Sequence, residues 1–225
     1  IVTGSATGLG SAIVKQVAAK GARVVINYTK SEKEAHETEA VCDYLGVESI
    51  LCKADVSVDE DCRRMADLSM EKWGRIDGLV NNAARSVFAN SKDLEALDGQ
   101  QFMDVYSVNV VGAYQMTRAA APHMKAGGDG SIVNVSSISA LTGAGSSIAY
   151  VASKGALNTM TTALARALAP EIRVNAVLPG AFPSRWWGDG LGEEGAKALF
   201  ESFTKQVPLK ETADVDSVAR TVVWL

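Results

Sequence analysis

Six short runs of β-branched and apolar residues recur along this chain, and a stretch of helical period separates almost every neighbouring pair. The runs predict strands at Ile1–Thr3, Arg23–Asn27, Glu48–Lys53, Gly78–Asn81, Ser131–Val135 and Arg173–Val177. Helices are predicted over Ser11–Lys20, Ser31–Leu45, Glu60–Trp73, Gln101–Lys125 and Ala149–Leu168, with a last one from Asp214 to Leu225. Strands that are apolar throughout, alternating with helices, pair in parallel and are covered on both faces. The expectation is one α/β domain over residues 1–225, a doubly wound parallel sheet in three layers, α/β/α. No Pro/Gly/Ser linker divides it and no fixed-period repeat runs through it. The stretch 182–212 breaks the rhythm: Gly188, Gly190, Gly192 and Gly195 stand beside Trp186 and Trp187, which predicts a flexible apolar loop closing over a site.

Bulk properties narrow the partners. Of 225 residues, 47% are hydrophobic and 21% charged, enough for a sizeable core. A net charge of −4 and a pI near 5.3 argue against nucleic acid, which calls for a basic patch. No apolar run reaches the roughly 18 residues of a membrane span. Cys42, Cys52 and Cys62 lack a metal spacing and read as reduced thiols of a cytoplasmic protein, and His36 and His123 are too far apart to suggest a metal site.

The first strand runs directly into Thr3-Gly4-Ser5-Ala6-Thr7-Gly8-Leu9-Gly10 and then into a helix. Glycines let backbone approach a pyrophosphate, whose charge is met by free N–H groups at the helix start, as in a Rossmann fold. Three residues separate the first two glycines, unlike the usual G-x-G-x-x-G. Asp55-Val56 follows the third strand, where an Asp could bind an adenine amino group or simply cap a helix. Asn81-Asn82-Ala83-Ala84 ends the fourth strand, and ligands of open α/β sheets gather at strand carboxyl ends.

Together these residues resemble the short-chain dehydrogenase/reductase family in its commonest branch, over essentially the whole chain. Thr3–Gly10 matches the TGxxxGxG pattern, and Asn81–Ala84 matches NNAG with Ala84 in place of the last glycine. Asn109, Ser137, Tyr150 and Lys154 match the four residues of its catalytic group, and Pro179-Gly180 its turn after the sixth strand. The resemblance implies an NAD(P)-dependent oxidoreductase. It implies a cofactor site drawn from Gly4, Ser5, Thr7, Gly8, Leu9, Gly10, Tyr28, Thr29, Lys30, Asp55, Val56, Asn82, Ala83, Ala84, Tyr150, Lys154, Pro179, Gly180 and Phe182. It further implies that Lys154 holds the nicotinamide ribose and that Asn109 bends its helix to seat a water linked to Lys154.

The chemistry explains why such a trio is needed. Tyr150 and Lys154, four apart, share a helical face. Reducing a carbonyl needs a proton at oxygen as hydride reaches carbon, and a phenol with pKa about 10 is a poor donor at neutral pH. Lys154⁺ and an oxidised nicotinamide would stabilise the phenolate and lower the pKa of Tyr150. Ser137 can donate to the substrate oxygen. A hydrolase reading of Ser137 lacks a G-x-S-x-G elbow, and His123 lacks an acidic partner.

Three functions compete: a dehydrogenase or reductase of small alcohols and ketones, a 3-oxoacyl-thioester reductase, and an inert dinucleotide-binding regulator. The second is weakened by Gly127-Gly128-Asp129 and Pro170-Glu171, where the resemblance would place basic residues for docking acyl carrier protein. The third is weakened because all four catalytic positions are filled. The second strand ends in Asn27-Tyr28-Thr29-Lys30-Ser31, with no carboxylate until Glu32, which favours NADP(H) while leaving NAD(H) possible. Val110, Val111, Tyr114, Leu157, Met160 and Leu164 cannot all face the sheet, so a homodimer or homotetramer is expected. Arg85 reads as a solvated surface charge. Ile1–Thr3 reads as the tail of a strand, and the resemblance implies a seventh strand beyond Leu225 in the complete protein.

Overall fold

The computed structural model describes residues 1–225. Its strands are β1 (Val24–Tyr28), β2 (Ser49–Lys53), β3 (Gly78–Asn81), β4 (Gly130–Val135) and β5 (Ile172–Val177). Its helices are α1 (Gly8–Ala18), α2 (Glu32–Tyr44), α3 (Asp59–Trp73), α4 (Gly99–Tyr106), α5 (Ala113–Gly127), α6 (Ser139–Thr142), α7 (Ile148–Leu168), α8 (Arg185–Gln206) and α9 (Val215–Trp224). β1 pairs with β2, and β3–β4–β5 form a second run, all in parallel. Val2 joins the two runs by bridging to Ile26 on one side and Val80 on the other. The sequence predicts a strand at Ile1–Thr3; the structure confines it to this bridge, with Val2 N donating to Val25 O and Thr3 N to Val80 O.

Successive strand residues point to opposite faces, and this splits the core in two. Val24, Ile26 and Val133 pack on one face with Ile13 and Val14 of α1 and Val218, Ala219 and Val222 of α9. Val25, Leu79, Ile132 and Val174 pack on the other with Met65 of α3 and Met116, Ala120 and Met124 of α5. The strand order turns outward in both directions from Val2. That is the switch point beyond whose carboxyl ends open α/β sheets bind ligands.

Three predicted segments differ in detail. The helix predicted over Gln101–Lys125 starts at Gly99 and contains a π segment at Ser107–Gly112, between α4 and α5. The link between the strand predicted at Ser131–Val135 and the helix predicted at Ala149–Leu168 contains the short helix α6. The flexible loop predicted within 182–212 is largely the helix α8. A single non-helical residue, Gly192 at φ 72°, kinks it. Four glycines lower helix propensity, but Leu191, Glu193, Glu194, Ala196, Lys197, Ala198 and Leu199 restore it.

Candidate active site

The glycine turn is built from backbone bonds that only side chains deep in the sheet could supply. Asn27 is buried at the carboxyl half of β1. Its Oδ1 accepts from Gly4 N at 2.9 Å, and its Nδ2 donates to Ala54 O at 2.9 Å and Cys52 O at 3.2 Å. Ser5 Oγ donates to Val2 O and accepts from Asn27 N, which ties the glycine turn to β1. Thr3 Oγ1 accepts from Asn82 N and Ala83 N, while Asn82 Nδ2 donates to Thr3 O and Gly4 O. The two predicted cofactor turns are therefore one braced unit, in which the Asn82 side chain holds the glycine turn.

The glycines have distinct reasons. A Cβ on Gly10 would lie 2.4 Å from Gly4 O and 2.7 Å from Asn82 Nδ2, so only hydrogen fits there. Gly8 has φ +55° and no neighbour within 4 Å of a built Cβ: it is left-handed and open. Thr7, the α1 N-cap, makes no side-chain capping bond, so the first N–H groups of α1 point at that open space uncapped. A cradle of free donors at a helix start, with no acidic residue in its first turn, fits a pyrophosphate.

The rest of the expected cofactor positions lie in α1 and on the segments at the carboxyl ends of the strands. Leu9 and Val56 are buried, and the Val56 side chain packs against Gly112, where a Cβ would come within 2.7 Å. Asp55 Oδ1 accepts from Ser57 N and Ser57 Oγ in a local turn. Thr29 and Lys30 are exposed beyond β1, and the Tyr28 hydroxyl donates to Glu32 at 3.3 Å. Pro179 O accepts from Ile138 N, Gly180 lies 3.6 Å from Ile138 Cδ1 at its built Cβ, and Phe182 O accepts from Trp187 Nε1 at 3.2 Å.

Ser137, Tyr150 and Lys154 come together beyond the end of β4. Ser147 Oγ caps α7 by accepting from Tyr150 N. Lys154, one helical turn on, is 2% exposed, and its Nζ donates to Val135 O at 2.7 Å and lies 5.5 Å from the Tyr150 ring centre. Burial lowers its amine from 10.5 to about 8. The sequence predicts a lowered phenol at Tyr150. Burial by itself raises the phenol, and the neighbouring Ser137 hydroxyl partly opposes that; the predicted lowering needs the oxidised nicotinamide as well. Lys154 stands beside the ring and points a proton at a carbonyl. Ser137 Oγ donates to Ser139 Oγ at 3.0 Å and accepts from Ser139 N at 3.1 Å.

Asn109 is buried in the π segment. Its Oδ1 accepts from Arg85 N at 2.7 Å, and its Nδ2 donates to Arg85 O at 3.0 Å and Ser153 Oγ at 2.9 Å. It thus locks the chain after β3 to α7 just before Lys154. The Arg85 side chain, read as a solvated charge, pairs with Asp104 at 2.9 Å. Sequence reasoning missed Ser153 and Asn134 and the bracing roles of Asn27 and Asn81, whose Nδ2 donates to Asn134 Oδ1 at 2.9 Å. A polar residue inside an apolar strand, as in Val24-Val25-Ile26-Asn27, was the available signal.

Over Tyr150 stand the aromatics of α8 and of the chain after β3. Trp186 lies 5.9 Å from Tyr150 between ring centres, and Phe88 lies 6.4 Å from Trp186 and 6.1 Å from Trp187. A Cβ on Gly190 would come within 2.4 Å of three atoms of the Phe88 ring, so this glycine permits close packing. The geometry is that of a dinucleotide cleft with a proton-donating phenol at its far end, the arrangement of a pyridine-nucleotide oxidoreductase.

Known proteins agree. The family model described as enoyl-(acyl carrier protein) reductase, a short-chain dehydrogenase/reductase model, matches residues 4–225. A protein of Streptomyces violaceoruber, named for ketoacyl reduction in the granaticin polyketide synthase, is 37% identical over all of this chain and 88% of its own length. The 7α-hydroxysteroid dehydrogenase of Clostridium sardiniense is 34% identical over all of this chain and 84% of its own. Among solved structures, NAD⁺-bound xylitol dehydrogenase superposes with a TM-score of 0.90 at 28% identity, covering all of this chain and 90% of that one. The chain belongs to the short-chain dehydrogenase/reductase family. It is an NAD(P)-dependent oxidoreductase of alcohols and carbonyl compounds.

Proposed function

We propose that this enzyme interconverts a ketone and its secondary alcohol, with Tyr150 exchanging the proton. The observation that carries the reading is the junction of Ser137, Tyr150 and buried Lys154 at the end of the cleft that Gly8 opens. The bound nicotinamide supplies or accepts the hydride. Tyr150 delivers a proton to the carbonyl oxygen as the hydride reaches carbon. Ser137, turning from Ser139, donates to the same oxygen and fixes its position. Lys154 holds the cofactor ribose and replenishes the Tyr150 proton. Asn109 acts through Ser153 and the Arg85 backbone, as a positioning residue.

NADP(H) is the proposed preference. Lys30 and Thr29 are exposed beside Ser31, whose helix α2 starts without a side-chain cap, and a 2′-phosphate would meet all three. The buried thiols, each pushed upward by burial, fit the cytoplasm, and a homodimer or homotetramer is the proposed assembly. The stretch 182–212 is proposed as a substrate lid.

Tyr150→Phe tests the chemistry. Turnover should fall by roughly 10²–10⁴, the worth of a general acid, while fluorescence titration shows cofactor binding nearly unchanged. A Tyr150→Phe enzyme with near-normal turnover would falsify the assignment. Because the phenol is raised, ketone reduction should stay level through neutral pH and weaken only in alkaline solution, as the donor is lost.

A further inference from the structure

Three rings converge above Tyr150 at angles suited to gripping another ring. Trp186 is inclined 54° to Tyr150 and 57° to Phe88, and Trp187 meets Phe88 at 71°. Tilted and edge-to-face contacts at such centre distances are the favoured aromatic arrangements. Ile138 follows Ser137 directly and Leu141 lies on α6, 43% and 74% exposed. Large apolar side chains held open to water beside a catalytic group mark a binding face.

Polar side chains on the segments that carry these rings and on the chain after Ser137 already have partners. Arg85 pairs with Asp104, and Arg185 with Glu34 and Asp189. The Ser86 and Ser146 hydroxyls bond each other at 2.6 Å. Thr142 and Ser147 bond backbone groups of their own segment. A polyhydroxylated substrate needs a hydrogen-bond partner for each buried hydroxyl, and an acidic one needs a cation. The walls offer apolar surface instead.

From this juxtaposition, and resting on the proposed ketone–alcohol chemistry, we infer that the substrate is an uncharged ketone, or its alcohol, carried on a flat apolar ring system. The ring lies against Trp186 and Phe88, and its carbonyl reaches Tyr150 and Ser137. Polyols and charged thioesters are poor substrates.

The test compares kcat/KM for 1-tetralone, for the polyol ketone D-xylulose and for butanone, with NADPH and NADH. The wild type should favour tetralone over xylulose by at least about 100-fold. Trp186→Ala should shrink the tetralone-to-butanone ratio by about tenfold or more, mainly through KM, whereas Trp186→Phe should keep most of it. Xylulose turned over as well as tetralone overturns the inference and leaves the ketone chemistry standing. So does butanone reduction without preference for tetralone, or a ratio unmoved by Trp186→Ala. Should the wild type turn over no carbonyl compound with either cofactor, the proposed chemistry falls and this inference with it.

Discussion

Burial strips Lys154 of its hydration and returns one hydrogen bond, to Val135 O. The charged amine is therefore disfavoured in the folded protein, and its pKa stands at about 8 against 10.5 when solvated. Below pH 8 both folded and unfolded chains carry the proton, and the cost of burying it is felt in full. Between about pH 8 and 10.5 the folded chain releases the proton while the unfolded chain keeps it, so stability gains with rising pH. Urea unfolding of wild type and Lys154→Met at pH 7 and pH 10 should shift their difference toward the wild type, by on the order of 3 kcal/mol at most. A difference that stays constant across that interval would mean Lys154 is hydrated. The glycines separate in the same way. Gly10→Ala forces atoms onto Gly4 O and should lower the Tm and cofactor affinity together. Gly8→Ala meets no atom, so it should keep most of the stability, less about 1 kcal/mol for its left-handed backbone. Its main loss should be cofactor affinity, measured by titration.

Among the elements, α8 is tied to α2 by charge. Arg185, in its first turn, reaches Glu34 of α2 at 2.7 Å and Ser31 Oγ at 3.2 Å, beside the turn that follows β1. The pair holds the proposed lid down next to the adenosine end of the cleft. Both side chains are partly exposed, so the contact is weak and salt-sensitive, the strength suited to a lid that must reopen. Arg185→Ala should leave the Tm nearly unchanged but speed hydrogen exchange in α8 by no more than about fivefold, and raise KM for cofactor and ketone together. Unchanged exchange would show that aromatic packing alone closes α8. That this segment is helical was not legible in the sequence, because glycine counts as a breaker wherever it falls. Only the structure separates Gly192, which kinks the helix, from Gly190, which lets it approach Phe88. The π segment is hidden for a related reason: Ser107–Gly112 has ordinary helical composition, and the extra residue per turn leaves no mark in periodicity. By contrast β1, β3, β4 and β5 were legible within a residue or two, since runs such as Val24-Val25-Ile26 fit a strand buried on both faces. Tyr150, Lys154 and Ser137 were legible as a group from their spacing and family pattern.

The accessible surface of the whole chain is 11460 Å², whereas a monomer of 23.7 kDa exposes about 9,800 Å² by the usual scaling. The excess, roughly 1,600 Å², is about twice the roughly 800 Å² that each partner of a standard interface loses. Its apolar part is partly concentrated on one side. Met103 of α4, Val111 of the π segment and Tyr114 of α5 are 63%, 45% and 46% exposed along one helical run. The Phe102 and Tyr106 rings stack at 5.6 Å beside them, and the Tyr106 hydroxyl donates to Ala152 O of α7. Leu157 of α7 turns into the core, so the surplus apolar residues of the two long helices are those of the α4–α5 run together with half-buried Met160 and, at the start of α7, exposed Ile148. A twofold contact of this face with its copy would cover them. Light scattering at micromolar concentration should therefore report a dimer or tetramer, and Val111→Glu with Tyr114→Glu should release smaller particles whose circular dichroism is native. Both substitutions lie away from Tyr150, so any loss of activity on dissociation would report coupling between the assembly and α7. A wild type that is monomeric at those concentrations would leave the exposed apolar run without a partner copy and refute the assembly.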